Sequence, residues 1–81
     1  MKQLSEQEAI EFAENGKWKN MSDLELAYFQ INQVRLAVPF DEFHQAVKSV
    51  LGHPVFTHQF VTFHDEMLAE INQKAEAAGL K

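Results

Sequence analysis

Cysteine is absent from this chain, so neither a disulfide framework nor a thiolate metal site is available to staple it. That absence fits a reducing compartment and points to a cytoplasm. Glycine occurs three times and proline twice, which leaves no glycine-rich phosphate loop and no composition shift that marks a linker. Basic residues are scarce as well. Seven of them stand against twelve acidic residues, for a formal charge of −5, so the average field repels a phosphate backbone and disfavours direct nucleic-acid binding. No apolar run approaches the roughly 20 residues that cross a bilayer. The opening MKQLSEQEAIEF is too acidic and polar for a secretory signal, and the expectation is a soluble intracellular protein.

What the chain does contain is enough apolar material to fold. Its 81 residues are 46% hydrophobic and 23% charged, a globular balance that argues against intrinsic disorder. The length fits one domain over residues 1–81, in which a single small core supplies nearly all of the stability.

Punctuation divides the chain into four helices. Ser5 with Glu8 forms the reciprocal capping pattern of a helix start, and Asn15-Gly16 is a stop signal, with Ala9, Ile10, Phe12 and Ala13 as the apolar stripe between them. Trp18 follows in a connector and is expected to cover an edge of the core. A second capping pattern, Ser22 with Glu25, is flanked by Met21 and Leu26 as a hydrophobic staple. Beyond it Leu24, Ala27, Ile31 and Val34 trace one face beside Tyr28, while Leu26, Phe29 and Leu36 widen the arc, until Val38-Pro39 ends the helix. Phe40, Phe43, Val47 and Val50 line a third helix, joined by Ala46 and Leu51, that stops at Gly52. Thr57 is the expected cap of a fourth, in which Phe56, Phe60, Phe63, Met67 and Ile71 recur at helical steps. After Asn72 the apolar residues dwindle to alanines plus Leu80, so this end is expected to protrude or fray. A small β-hairpin through VRLAVPF and HPVFTHQF competes, but Pro39 and Pro54 interrupt both segments. The fold class is therefore all-α, a compact bundle of four helices over about 5–15, 22–37, 40–51 and 57–78.

No catalytic pattern emerges. His44, His53, His58 and His64 are nine, five and six residues apart, and none of these spacings stacks two imidazoles on one helical face as a metal site requires. His44 and His58 are expected to flank the aromatic core with one ring nitrogen bonded to backbone, and His53 and His64 to be solvated. Asp41 and Glu42 sit at a helix start, which capping and the helix dipole explain. Asp65 and Glu66 follow His64, yet neighbours on a helix point about 100 degrees apart and do not act together. Ser5 and Ser22 serve as caps. The sequence thus assigns no catalytic residue, no metal ligand and no cofactor, and the reading is non-enzymatic.

The aromatic residues and the acidic ends remain. Phe40, Phe43, Phe56, Phe60 and Phe63 are expected in the core, because a short chain needs large side chains to bury enough area. Trp18, Tyr28, Phe29 and Leu36 are then in surplus, and such residues anchor partner contacts. Glu8, Glu11 and Glu14 give the first helix an acidic outer face. The expected partner-binding set is Glu8, Glu11, Glu14, Trp18, Tyr28 and Phe29.

Residues 16–60 carry a Gly-x-Trp-Lys opening, Phe-Gln-x-x-Gln-x-Arg-Leu from Phe29, Pro-Phe-x-x-Phe-His from Pro39 and Leu-Gly-x-Pro-Val-x-Thr-His-x-Phe from Leu51. In these motifs the chain resembles a family of small proteins of unknown function encoded by bacteriophages and prophages. The resemblance implies a bacterial cytoplasm and an accessory phage role, such as an anti-CRISPR-type or other inhibitor that binds a host protein, with a nucleic-acid-handling defence complex as the partner. Two readings from other classes stand beside it: a homo-oligomeric structural or regulatory subunit whose aromatic face closes a homodimer, and a metal- or ligand-binding domain using His44 and His58.

Overall fold

The computed structural model describes residues 3–80 and is all-α, with no strand among them. Helix α1 spans Glu6–Asn15, a 3-10 turn Lys17–Asn20, α2 Asp23–Ile31, α3 Phe40–Leu51, α4 Gln59–Thr62 and α5 His64–Ala77. Both capping boxes form. The Ser5 N–H donates to Glu8 Oε1 (2.9 Å) and the Glu8 N–H to Ser5 Oγ (3.2 Å), and Ser22 with Glu25 repeats the arrangement at 3.1 and 3.2 Å. Gly16 and Gly52 end α1 and α3 in the left-handed region, at φ 68° and 76°, where a side chain would be strained.

Helix α2 is the hub, packed mainly against α3 and then against α5. Its Leu26, Ala27 and Ile31 meet Phe43, Ala46 and Val47 of α3 and Met67 and Ile71 of α5, with Val38 and Val55 closing the core from the connecting segments. The Cα radius of gyration is 12.0 Å, close to the ~12 Å of a compact chain of this length.

The second helix ends at Ile31 and not at Val38-Pro39, six residues earlier than the sequence suggests. Side-chain amides end it. Asn32 Nδ2 donates to Tyr28 O (2.8 Å), taking a carbonyl that the next helical N–H would need. Gln30 is only 5% exposed, and its Nε2 donates to Arg35 O (3.0 Å) while its Oε1 accepts from the Ala37 N–H (2.7 Å). One carboxamide thus satisfies two backbone groups of the segment 32–39 and lets Ala37 and Val38 be buried outside any helix. In this segment Val34 is 87% exposed and Leu36 also lies outside the core, so neither extends the apolar arc of α2.

More amides fasten the same segment to its neighbours. The Leu4 N–H donates to Gln33 Oε1 (2.9 Å) and the Val34 N–H to Gln3 Oε1 (2.8 Å), while Gln3 Nε2 donates to Asn32 O. Asn32 Nδ2 also reaches Asn72 Oδ1 of α5 (2.9 Å).

The expected fourth helix is divided at Phe63, whose φ of −117° departs from helical geometry directly after the β-branched pair Val61-Thr62. Thr57 does not cap it. Instead Gln59 Oε1 accepts from the Phe56 N–H (2.8 Å). Phe56 (64% exposed) and Phe63 (46% exposed) consequently stand outside the core expected to hold them. The far end does not fray among the described residues: Ala75 is fully buried, and Leu80 N–H to Ala75 O (2.9 Å) with Gly79 N–H to Glu76 O (3.1 Å) close a Schellman motif. Lys81 lies outside the described residues.

Two stability predictions follow from this arrangement. Gln30→Ala leaves Arg35 O and Ala37 N–H without a partner and lowers unfolding free energy by about 1–3 kcal/mol for each group that water does not reach. Val34→Ser changes it by less than about 0.5 kcal/mol, as befits an exposed site, whereas a helix continuing to residue 37 would make this a core position. Urea unfolding followed by circular dichroism reads both.

Candidate functional site

Charge accumulates on α1 because its carboxylates have nowhere else to go. Glu6, Glu8, Glu11 and Glu14 are all exposed, and only Ala9 of this helix is fully buried. Glu6, Gln7, Glu11 and Glu14 surround Ile10 in a shallow hollow, where Ile10 is 51% exposed although the apolar stripe placed it inward. Phe12 of the same helix turns the other way and stacks on Phe29 of α2, with centroids 4.7 Å apart and planes at 26°. This ring pair ties α1 to the hub. Glu8 and Glu11 line a second small hollow beside Phe12 and Lys17.

The aromatic half of the expected binding set has structural duties. Trp18 is half-buried, and its indole N–H donates to Ala13 O (3.1 Å), one of the carbonyls left open at the end of α1. Lys19 Nζ stands 5.6 Å from the centre of the Trp18 ring. Tyr28 is half-buried against the core and Phe29 half-buried on Phe12, and the two line a shallow hollow with Met21, Glu25 and Leu80. Thus Glu11 and Glu14 share one surface around Ile10, Glu8 and Glu11 another, and Tyr28 with Phe29 a third. The sequence treated these as a single surface; the fold distributes them.

The histidines divide as well. His44 Nε2 bonds the Val55 carbonyl, and its ring joins Phe40 and Phe60 at centroid distances of 5.8 and 5.4 Å. Phe43 completes this cluster, 5.2 Å from Phe60. His44 is therefore bound to backbone beside the aromatic core, as expected. His58 is not: it is exposed and stacks on the equally exposed Phe56, with planes 6° apart. His53 and His64 are exposed, and His64 Nδ1 lies 3.7 Å from Asp65 Oδ1. Among the described residues no three histidine, aspartate or glutamate side chains converge as metal ligands.

A cleft that the sequence reading missed runs between the end of α3 and the α4–α5 arm. Leu51, Phe63 and Met67 form its apolar lining, and His53, Gln59, Glu66 and Glu70 its polar edge. Periodicity held a hint of it, since Phe63, Glu66, Met67 and Glu70 recur at steps of three and four and mix apolar with acidic residues on one face. The network around Gln30 also left a signal: an amide three residues after Ala27 and four after Leu26, on the azimuth the core claims.

The fold and these surfaces define a small all-α protein with shallow clefts. No helix among the described residues is long and apolar enough to cross a membrane. Residues 25–79 match the family model described as "Domain of unknown function (DUF7736)", and because this covers more than half of the chain, the protein belongs to that family. The matched span holds all but the first two residues of α2 and the whole of α3 to α5, including the amide-fastened segment, and leaves α1 outside. Neither a curated protein nor a solved structure matches the chain.

Replacing His44 by Ala removes a half-buried hydrogen bond and ring contacts and is predicted to cost about 1–3 kcal/mol. His58→Ala is predicted to change stability by less than about 0.5 kcal/mol. Chemical denaturation of the two variants side by side checks the order, which is reversed if His58 is the buttressing histidine.

Proposed function

We propose that this chain is a non-enzymatic protein-binding module, a phage-encoded accessory protein that acts in the bacterial cytoplasm by occupying a host protein. The observation that carries the reading is the exposed acidic face of α1 with Ile10 at its centre. An apolar residue ringed by carboxylates suits a basic surface that contains an apolar depression. A protein that handles nucleic acid has such a surface, and the formal charge of −5 draws the two together before contact. Inhibition of a host defence complex, of the anti-CRISPR type, is the specific form of the proposal. It rests on the resemblance of residues 16–60 to small phage proteins.

The anchoring differs from the aromatic one expected from sequence alone. Trp18, Tyr28 and Phe29 are engaged in packing, so Ile10, Glu11 and Glu14 carry the contact in this proposal, with Glu8 adding charge beside them. Glu8 also closes a capping box, so its substitution must spare the helix start.

The test is affinity capture of bacterial host proteins on the full chain, with mass identification and with binding measured at low and at high salt. A retained nucleic-acid-handling protein should lose about tenfold in affinity as salt screens the approach, and about as much on combining Glu8→Gln, Glu11→Lys and Glu14→Lys. Binding that is indifferent to both would refute the electrostatic reading of α1.

A further inference from the structure

We propose that the cleft between α3 and the α4–α5 arm is a docking site for a basic–apolar segment of a partner protein, one large apolar side chain held between lysines or arginines. The proposal rests on the reading of this chain as a protein-binding module and adds a second contact on a different face from α1.

The cleft follows from the division of the fourth helix. Had residues 57–78 formed one straight helix, Phe63 would continue the apolar stripe that ends in Met67 and Ile71. With the break at Phe63 the ring stays 46% exposed and becomes a wall, while buried Met67 and half-buried Leu51 form the floor. The cleft is open to solvent and offers about 270 Å³, below the roughly 300–1,000 Å³ of pockets that enclose small molecules. It fits a protruding side chain better than a cofactor. Methionine on the floor adds a polarisable, adaptable surface, which suits an inserted aliphatic or aromatic group.

Charge selects the flanks. Glu66 and Glu70 stand one helical turn apart on the rim, both exposed, and among the described residues no lysine or arginine nitrogen lies within 4.0 Å of either carboxylate. Lys74, one turn beyond Glu70, does not pair with it. Two open carboxylates beside an apolar floor complement a cationic residue on either side of the inserted group. A cleft-on-cleft contact between two copies is disfavoured, because Glu66 and Glu70 of one rim would meet the same residues of the other, between protomers that each carry a formal charge of −5. Lys17-Trp18-Lys19 of a second copy has the right composition, but Trp18 is half-buried with its indole N–H held by Ala13 O. Nucleic acid is repelled by the same rim. The whole cleft lies within residues 25–79, the span that matches the family model, whereas α1 does not.

The experiment is an NMR titration of the isotopically labelled full chain with three short amidated peptides: one presenting Lys-Phe-Lys, one in which glutamates replace its lysines, and one in which serine replaces its phenylalanine. The expected result is saturable shifts at the Leu51 and Met67 methyls and the Phe63 to Glu70 amides with the first peptide, and at least about tenfold weaker binding with the other two. The combination of Glu66→Gln with Glu70→Gln, both at exposed positions, should weaken the first peptide by a similar factor with the helical circular dichroism unchanged; Asp23→Asn with Asp41→Asn, which removes the same charge at exposed positions away from both surfaces, should not. Equal binding of the glutamate peptide, shifts centred on α1, or no binding overturns the proposal. So do cleft shifts that appear on concentrating the protein alone, which would assign the cleft to self-association. Failure of host-protein capture through α1 leaves this titration unaffected, so the two readings fail separately.

Discussion

Gln30 donates one hydrogen bond and accepts another, both with backbone, from a position where water hardly reaches, and the arrangement of the helices depends on that pair. A connecting segment normally runs over the surface because its amides and carbonyls need water. Here Ala37 and Val38 run through the interior, and the carboxamide of Gln30 supplies the partners that water would otherwise provide. Val38 can then join the core, and Pro39 can start α3 at the distance and angle that bring Phe43, Ala46 and Val47 onto α2. The same amide chemistry continues outward. Gln3 and Gln33 fasten residues 3 and 4, ahead of α1, to the segment, and Asn32 reaches across to Asn72 of α5.

A bundle this small has few residues that can be wrong. α2 touches α1 through the Phe12–Phe29 stack, α3 and α5 through the core, and the C-terminal turn through the hollow that Leu80 shares with Tyr28. The helix with most neighbours is therefore the one whose length must be limited, and side-chain amides limit it at Ile31. A longer α2 would carry Ala37 and Val38, both buried here, out of the positions from which they close the core.

Signals within a few residues of each other were legible in the sequence. The Ser5–Glu8 and Ser22–Glu25 boxes, the glycine stops and the third helix stand as read, because capping and left-handed turns are settled by residues three or four apart. The end of α2 was not legible in the same way. Pro39 is a strong terminator, but Gln30 and Asn32 act first, through bonds whose geometry only the folded connection supplies. The division at Phe63 escaped for a related reason, since helical spacing from Phe56 to Ile71 persists on both sides of it. Glu11 and Glu14 were legible as surface because carboxylates without partners do not enter cores. Trp18, Tyr28 and Phe29 looked surplus because the Phe12–Phe29 pair and the Trp18–Ala13 bond depend on tertiary approach. The cleft was hidden behind the assumption that Phe63 packs inward.

The two proposed contacts use surfaces that the packing leaves open: the acidic outer face of α1 and the apolar cleft rimmed by Glu66 and Glu70. Both present carboxylates around an apolar element, on opposite sides of the boundary of the family span. The account as a whole depends on residues 32–39 being fixed by buried amides and not merely draped over the bundle. Native-state amide hydrogen exchange at Ala37 tests this most directly, because that N–H lies outside every helix and bonds only the Gln30 side chain. The account predicts that it exchanges as slowly as core amides of α2 and α3. Exchange at Ala37 near the rate of an unprotected amide, with the helices still protected, would contradict it.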